Sequence, residues 1–304
     1  MTDAGGPSAP LRSRLAAGLV LLSFGACFAF PARGAETTVA ALAKQTHFHG
    51  LSVLPGPSER LYLATHHGLF SVAADGGADR VSNVADDFMG FTLHPEDRST
   101  LFASGHPQRG GNLGFLQSVD GGQTWTKLSD GVGGPVDFHQ IEVSPADPQV
   151  IWGVFGGLQR SNDGGRTWRR VVGQLPDGIQ DLAGSKSRVD TLYAATQSGV
   201  MRTLDGGASW RSVYVQRARA TMVQQLSSGE LLAYVVGVGL IRAPSEADLS
   251  WQRLGDLGDE VIVHLAQHPS APSLLYAATM HAVSGDQSIL KSTDGGRRWT
   301  RLGQ

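Results

Sequence analysis

The sequence has 304 residues, of which 40 are glycine and 17% are charged, with a formal net charge of −2. That length can bury a large core or carry a repeated unit, and abundant glycine with sparse charge suits many short strands joined by tight turns. The near-neutral balance, with no block of Lys and Arg, gives no electrostatic basis for binding nucleic acid.

The chain opens with Arg12 and Arg14, an apolar run from Leu15 to Phe30, and small residues at Ala32, Gly34 and Ala35. Positive, then apolar, then small is the layout of a secretory signal peptide. The run falls short of the about 20 residues of a transmembrane span. Residues 1–35 therefore read as a signal peptide cleaved after Gly34 or Ala35, with an uncleaved anchor as the alternative. The mature chain is expected in the periplasm or outside the cell, with no membrane contact after cleavage. The only Cys, Cys27, lies inside the apolar run. Its flanking Phe24-Gly25-Ala26 fits a lipidation signal poorly. After cleavage the chain has no disulfide, no thiolate ligand and no thiol nucleophile.

Residues 36–45 read as an N-terminal segment able to add an edge strand. From residue 46 to 304 one unit repeats. Four segments are nearly the same: Ser118-Val-Asp-Gly-Gly-Gln-Thr-Trp125, Ser161-Asn-Asp-Gly-Gly-Arg-Thr-Trp168, Thr203-Leu-Asp-Gly-Gly-Ala-Ser-Trp210 and Ser292-Thr-Asp-Gly-Gly-Arg-Arg-Trp299. Two worn copies, Ala74-Asp-Gly-Gly77 and Asp248-Leu-Ser-Trp251, complete the series. The aspartates stand at 75, 120, 163, 205, 248 and 294, spaced by 45, 43, 42, 43 and 46 residues. A period in this range marks a repeat architecture.

These segments resemble the Asp-box (BNR) repeat, and the resemblance covers nearly all of the chain after residue 45. It implies an all-β fold, a six-bladed β-propeller of four-stranded antiparallel blades, with each box as the turn between the third and fourth strands. The boxes themselves then read as scaffold: Asp bonds neighbouring backbone N–H groups, Gly-Gly permits positive φ, and Trp packs a large ring. The compact bacterial exported members are often named sialidase-like glycosyl hydrolases. The photosystem II assembly factor and sortilin-type propellers are similar too.

The repeat fixes a register. First strands such as His49-Gly-Leu-Ser-Val53, Met89-Gly-Phe-Thr-Leu93 and His139-Gln-Ile-Glu-Val143 align, as do second strands such as Leu61-Tyr-Leu-Ala-Thr65 and Leu192-Tyr-Ala-Ala-Thr196. Pro-containing turns at Pro55, Pro95, Pro145 and Pro269 follow the first strands. In a blade that starts near the axis, the start of strand one and the end of strand two share a face. That gathers His49, His139 and Met89, with His47, Asp87 and Asp137 two residues earlier, and His66, His106 and Met280, with His67 and His281 one residue later. His264 falls near the same place in blade 6. Only His94 and His268 fall on the opposite face.

Imidazoles with nearby thioethers and no thiolates form a soft donor set, which favours copper over calcium or magnesium. Zinc would take three histidines but gain nothing from Met. The expected function is thus an exported propeller binding a metal ion or small ligand at its channel mouth. Copper is held by His49, His66, His106 and His139, with Met89 or Met280 as a weak ligand and His47, His67, His264 and His281 in reserve. Asp87 and Asp137 would orient the imidazoles.

Two other classes stay open. One is a glycoside hydrolase using Asp87 and Asp137 as its carboxylate pair. The sialidase pattern is not met, since the first strands carry no inward Arg and no Arg-Ile-Pro segment occurs. The other is a scaffold for a protein partner that nothing in the sequence identifies.

Overall fold

The structure is a computed structural model that describes Met1 and residues 36–54, 59–255 and 257–303. The chain divides into two compact units, Met1–Gly34 and Ala35–Gln304, and the second is described below. The signal-peptide reading, Cys27 and the turn at Pro55 lie outside the described residues.

Six antiparallel sheets follow one another along the chain, the four strands of each blade in simple sequential order. Blade 1 comprises Phe48–Val53, Arg60–Thr65, Gly68–Ala73 and Gly77–Arg80, and blade 2 Asp87–Leu93, Leu101–His106, Phe115–Ser118 and Thr126–Ser129. Blade 3 comprises Gln140–Val143, Ile151–Val154, Leu158–Ser161 and Arg169–Arg170, and blade 4 Asp181–Gly184, Leu192–Thr196, Gly199–Thr203 and Arg211–Ser212. Blade 5 comprises Ala220–Gln225, Leu231–Val235, Gly239–Ala243 and Gln252–Gly255, and blade 6 Glu260–Gln267, Leu275–His281, Gln287–Ser292 and Thr300–Arg301. The first strand of each blade packs beside the first strands of its neighbours, and blade 6 meets blade 1. The result is a six-bladed β-propeller.

The period of two along each second strand explains the assembly. In blade 1, Leu61 and Leu63 pack toward blade 6, while Tyr62 and Ala64 pack toward blade 2. Each sheet is apolar on both faces, so each must be covered on both. Six buried apolar clusters fill the six joints between blades. Met222 of blade 5 is fully buried in the joint of blades 5 and 6.

Among the described residues the ring closes without exchanging a strand. Gln287 of blade 6 bridges the joint: its Oε1 accepts from Phe48 N at 2.8 Å and its Nε2 donates to Thr46 O at 2.9 Å. Glu59 ties the other end of the joint to Lys291 at 2.6 Å. Thr37–Thr38 pairs with the outer strand of blade 1, and a short helix, Val39–Leu42, follows it. Val39 and Leu42 are buried in the apolar cluster at this joint.

The box turns are held by their own side chains. In the 161–168 box, Asp163 accepts from Thr167 N at 2.9 Å and from Thr167 Oγ1 at 2.6 Å. Ser161 Oγ accepts from Gly165 N at 2.8 Å, and Trp168 Nε1 donates to Gly165 O at 3.1 Å. The 118–125 and 203–210 boxes repeat this pattern. Bonds from Thr167, the side chain first, hold the Asp163 carboxyl down at about 2. Its charge is committed to the turn, so the box is scaffold chemistry and not a ligand site.

Candidate metal centre

Inner strands of all six blades line one cavity of about 420 Å³ along the axis, and His49, His139 and His264 are among its lining residues. At this rim the side chains form two groups of potential ligands: His49, His66 and Asp87, and His106, Asp137 and His139.

The first group spans blades 1 and 2. His66 follows the second strand of blade 1, where its backbone N–H is held by Thr46 Oγ1 at 3.0 Å. Its Nδ1 lies 2.5 Å from Asp87 Oδ2, across the joint. A carboxylate there requires the Nδ1–H tautomer, which leaves Nε2 with a free lone pair. That atom lies 3.2 Å from His49 Nε2 and 3.3 Å from His47 Nδ1. Burial first, and then His66, pushes the His49 imidazole down to about 3, so it is neutral and can donate a lone pair. The second carboxylate oxygen, Asp87 Oδ1, is buried without a hydrogen-bond partner.

The second group spans blades 2 and 3. His106 ends the second strand of blade 2, and its Nδ1 lies 2.9 Å from the Gly111 carbonyl in the loop that follows. A carbonyl only accepts, so Nδ1 carries the proton and neutral His106 presents a bare Nε2. That Nε2 lies 2.8 Å from Asp137 Oδ2, and His139 Nε2 lies 2.7 Å from the same oxygen. Asp137 is only 2% exposed, and its Oδ1 has no partner. A buried carboxylate needs compensating positive charge. A hydrogen bond from His139 answers part of that need and raises the His139 imidazole above its ordinary value. A bare Nε2 of His106 facing a carboxylate oxygen is repulsive; a proton or a cation between them removes the conflict.

Both groups fit a metal ion on these grounds. Ligands about 2.0–2.1 Å from a tetrahedral ion stand about 3.3–3.4 Å apart. His49 and His66 already have that spacing. In the second group the hydrogen bonds are shorter, so admitting an ion requires an opening of about 0.5 Å, within reach of His106 and His139 side chains that are 42% and 58% exposed.

The expected single site drawing on four histidines therefore resolves into two groups with two histidines each. Asp87 and Asp137, expected only behind the imidazoles, reach ligand positions themselves. Register alone did not reveal this, because the pairing runs across joints between blades. The signal that could have found it is the recurrence of His at the end of one second strand and Asp at the start of the next blade. His47 joins the first group from its exposed side. His264 lines the channel, where burial pushes it down to about 4. His67 is exposed. His281 Nδ1 accepts from Val283 N and Ser284 N, shaping its own turn; His94 and His268 do the same on the other face. Met89 is the extra residue of a bulge in blade 2. Met280 is 37% exposed on the second strand of blade 6, opposite Val261 and Gln287.

No protein-family model matches the sequence, and no curated protein matches it. Solved structures match its fold. The GH74 xyloglucanase from Xanthomonas campestris superposes with a TM-score of 0.56 at 18% identity, covering 88% of this chain and 46% of that one. YCF48 bound to D1 peptide superposes with a TM-score of 0.54 at 17% identity, covering 90% and 84%. The PQQ-bound aldose sugar dehydrogenase from Streptomyces coelicolor gives 0.53 at 17% identity, covering 86% and 99%. This chain spans about half of the xyloglucanase. At these identities the likeness is one of fold, and function must be argued from the site.

Proposed function

We propose that this protein is an exported metal-binding propeller whose two His/Asp groups each hold a divalent transition-metal ion at one rim of the channel. The observation that carries this is Asp137: a buried carboxylate with one orphan oxygen, whose other oxygen meets two imidazole Nε2 atoms. The donor set is imidazole with carboxylate, which suits copper(II) and zinc and disfavours calcium and magnesium. Copper(II) leads, because it binds nitrogen–oxygen sites most tightly among the divalent ions of its row. The thioether argument from Met89 and Met280 adds nothing to these groups. The apolar, signal-like N-terminus and the absence of Cys after it suit a periplasmic or secreted setting.

The glycosidase reading loses support at the same residues. Asp87 Oδ2 lies 2.5 Å from His66 Nδ1 and Asp137 Oδ2 lies 2.7 Å from His139 Nε2, so both oxygens are already engaged and are not free to serve a glycosidic bond.

The test is to strip the protein with chelator, reload it with copper(II) or zinc, desalt it and measure bound metal. The wild type should retain metal, and Asp87→Asn with Asp137→Asn should lose about 10–100-fold in affinity. Equal retention by the double variant would overturn the reading.

A further inference from the structure

Tyrosines recur at one position of the repeat, directly after the leading Leu of the second strand. Tyr62 donates to Gly121 O of the next blade at 2.8 Å, and Tyr276 reaches Glu59 at 3.3 Å. Tyr193 of blade 4 is the third. It is fully buried, with its hydroxyl beside the Arg202 guanidinium. Trp152 holds the same place in blade 3 with an unpartnered N–H, but Arg160 covers that ring, 5.4 Å from its centroid. Tyr193 instead lines a cavity of about 380 Å³ between blades 4 and 5, far in sequence from the histidine groups.

Three cations line that cavity: Lys186, Arg188 and Arg202. Neither the Lys186 ammonium nor the Arg188 guanidinium makes an ion pair or side-chain hydrogen bond among the described residues. The Arg202 guanidinium is nearer Tyr193 and touches the Glu246 carbonyl at 3.4 Å. The acid present is already engaged, since Glu246 Oε1 accepts from Gln225 and Oε2 from Ser187. Partial desolvation lowers the Lys186 ammonium from its ordinary value, while the side chain as a whole stays exposed at the cavity mouth. Leu204 and Ala247 add apolar side chains to a wall that also carries Ser187, Thr191 and Ser245.

We infer that this cavity is a binding site for a small organic anion, a carboxylate or phosphate on an apolar body. The oxyanion would accept from Arg188 and Lys186, with the Arg202 guanidinium behind them. Arg adds a planar fork that matches either group. The apolar body would lie against Leu204 and Ala247.

The inference is independent of the metal reading and is tested on metal-free protein by calorimetric titration. Benzoate and inorganic phosphate are the probes, and neutral benzamide is the control. Saturable binding of benzoate or phosphate, with benzamide at least tenfold weaker, is expected; which anion binds tighter assigns the class. Lys186→Gln with Arg188→Gln should weaken binding by at least tenfold and leave the melting temperature within a degree or two. Failure of both anions to bind at millimolar concentration, equal binding of benzamide, or binding unchanged in the double variant would overturn the inference.

Discussion

Asp87 and His106 are cross-strand partners in blade 2, yet their side chains serve opposite neighbours. Asp87 reaches back to His66 of blade 1, and His106 reaches forward to Asp137 of blade 3. One backbone rung thus joins the two His/Asp groups. The groups also feel each other: Asp87 raises His139, and His139 lowers His49. Occupancy of one should therefore alter the proton and metal affinity of the other.

The histidines predict a stability profile with two opposing parts. His49 and His264 are depressed in the folded state, to about 3 and about 4. The unfolded chain then binds protons below about 6.5 that the folded chain does not, so stability falls as pH drops below 6.5. His139 is raised, so its contribution is full below 6.5 and is lost as pH rises through its folded value. Imidazole NMR at pH 5 should show His49 and His264 unprotonated and His139 protonated. All three titrating together near 6.5 would contradict the geometry.

The channel carries two acids with the reverse behaviour. Burial pushes Glu142 up to about 8 and Asp181 up to about 7. Each still accepts a backbone N–H across a joint, Glu142 from Gly184 at 2.6 Å and Asp181 from Val223 at 3.0 Å. An acid raised in the folded state costs stability as pH climbs from its unfolded value toward its folded one. Glu142→Gln keeps the acceptor and removes the charge. Its melting temperature should exceed the wild type by about 2–4 °C at pH 8 and match it at pH 5.

Gln287 is the polar clasp of a ring that exchanges no strand among the described residues. Gln287→Ala strands Phe48 N and Thr46 O, which should cost about 1–3 kcal/mol. Amide exchange at Phe48 should quicken more than at Leu182, on the far side of the ring. Uniform quickening would show that the clasp does not govern closure.

The boxes should prove structural and nothing more. A Cβ on Gly165, whose φ is +88°, would lie 2.1 Å from Phe115 Cε1, so Gly165→Ala should cost at least about 3 kcal/mol. Asp163→Ala should cost about 1–2 kcal/mol through its lost bonds and leave metal binding unchanged.

The fold was legible because the box is local: a Ser, an Asp, two glycines and a Trp close their own turn, and their spacing counts the blades. The rim was legible as far as register reaches, placing His49, His66, His106 and His139 at one end. Register does not say which neighbour a side chain serves. Asp87 and Asp137 therefore read as supports, and four histidines read as one site. His281 was misleading for a similar reason, since its ring closes a local turn that no alignment reports. The burial of the Oδ1 atoms of Asp87 and Asp137 exists only once neighbouring blades have packed.

The central claim is that two separate metal groups share this rim. Titrating metal-free protein with copper(II), and in parallel with zinc, tests it most directly when stoichiometry is read in three proteins. The wild type should bind two equivalents. His49→Ala with His66→Ala, and His106→Ala with His139→Ala, should each bind one, with the fold intact by circular dichroism. No saturable binding in the wild type, or two equivalents in either variant, would contradict the account.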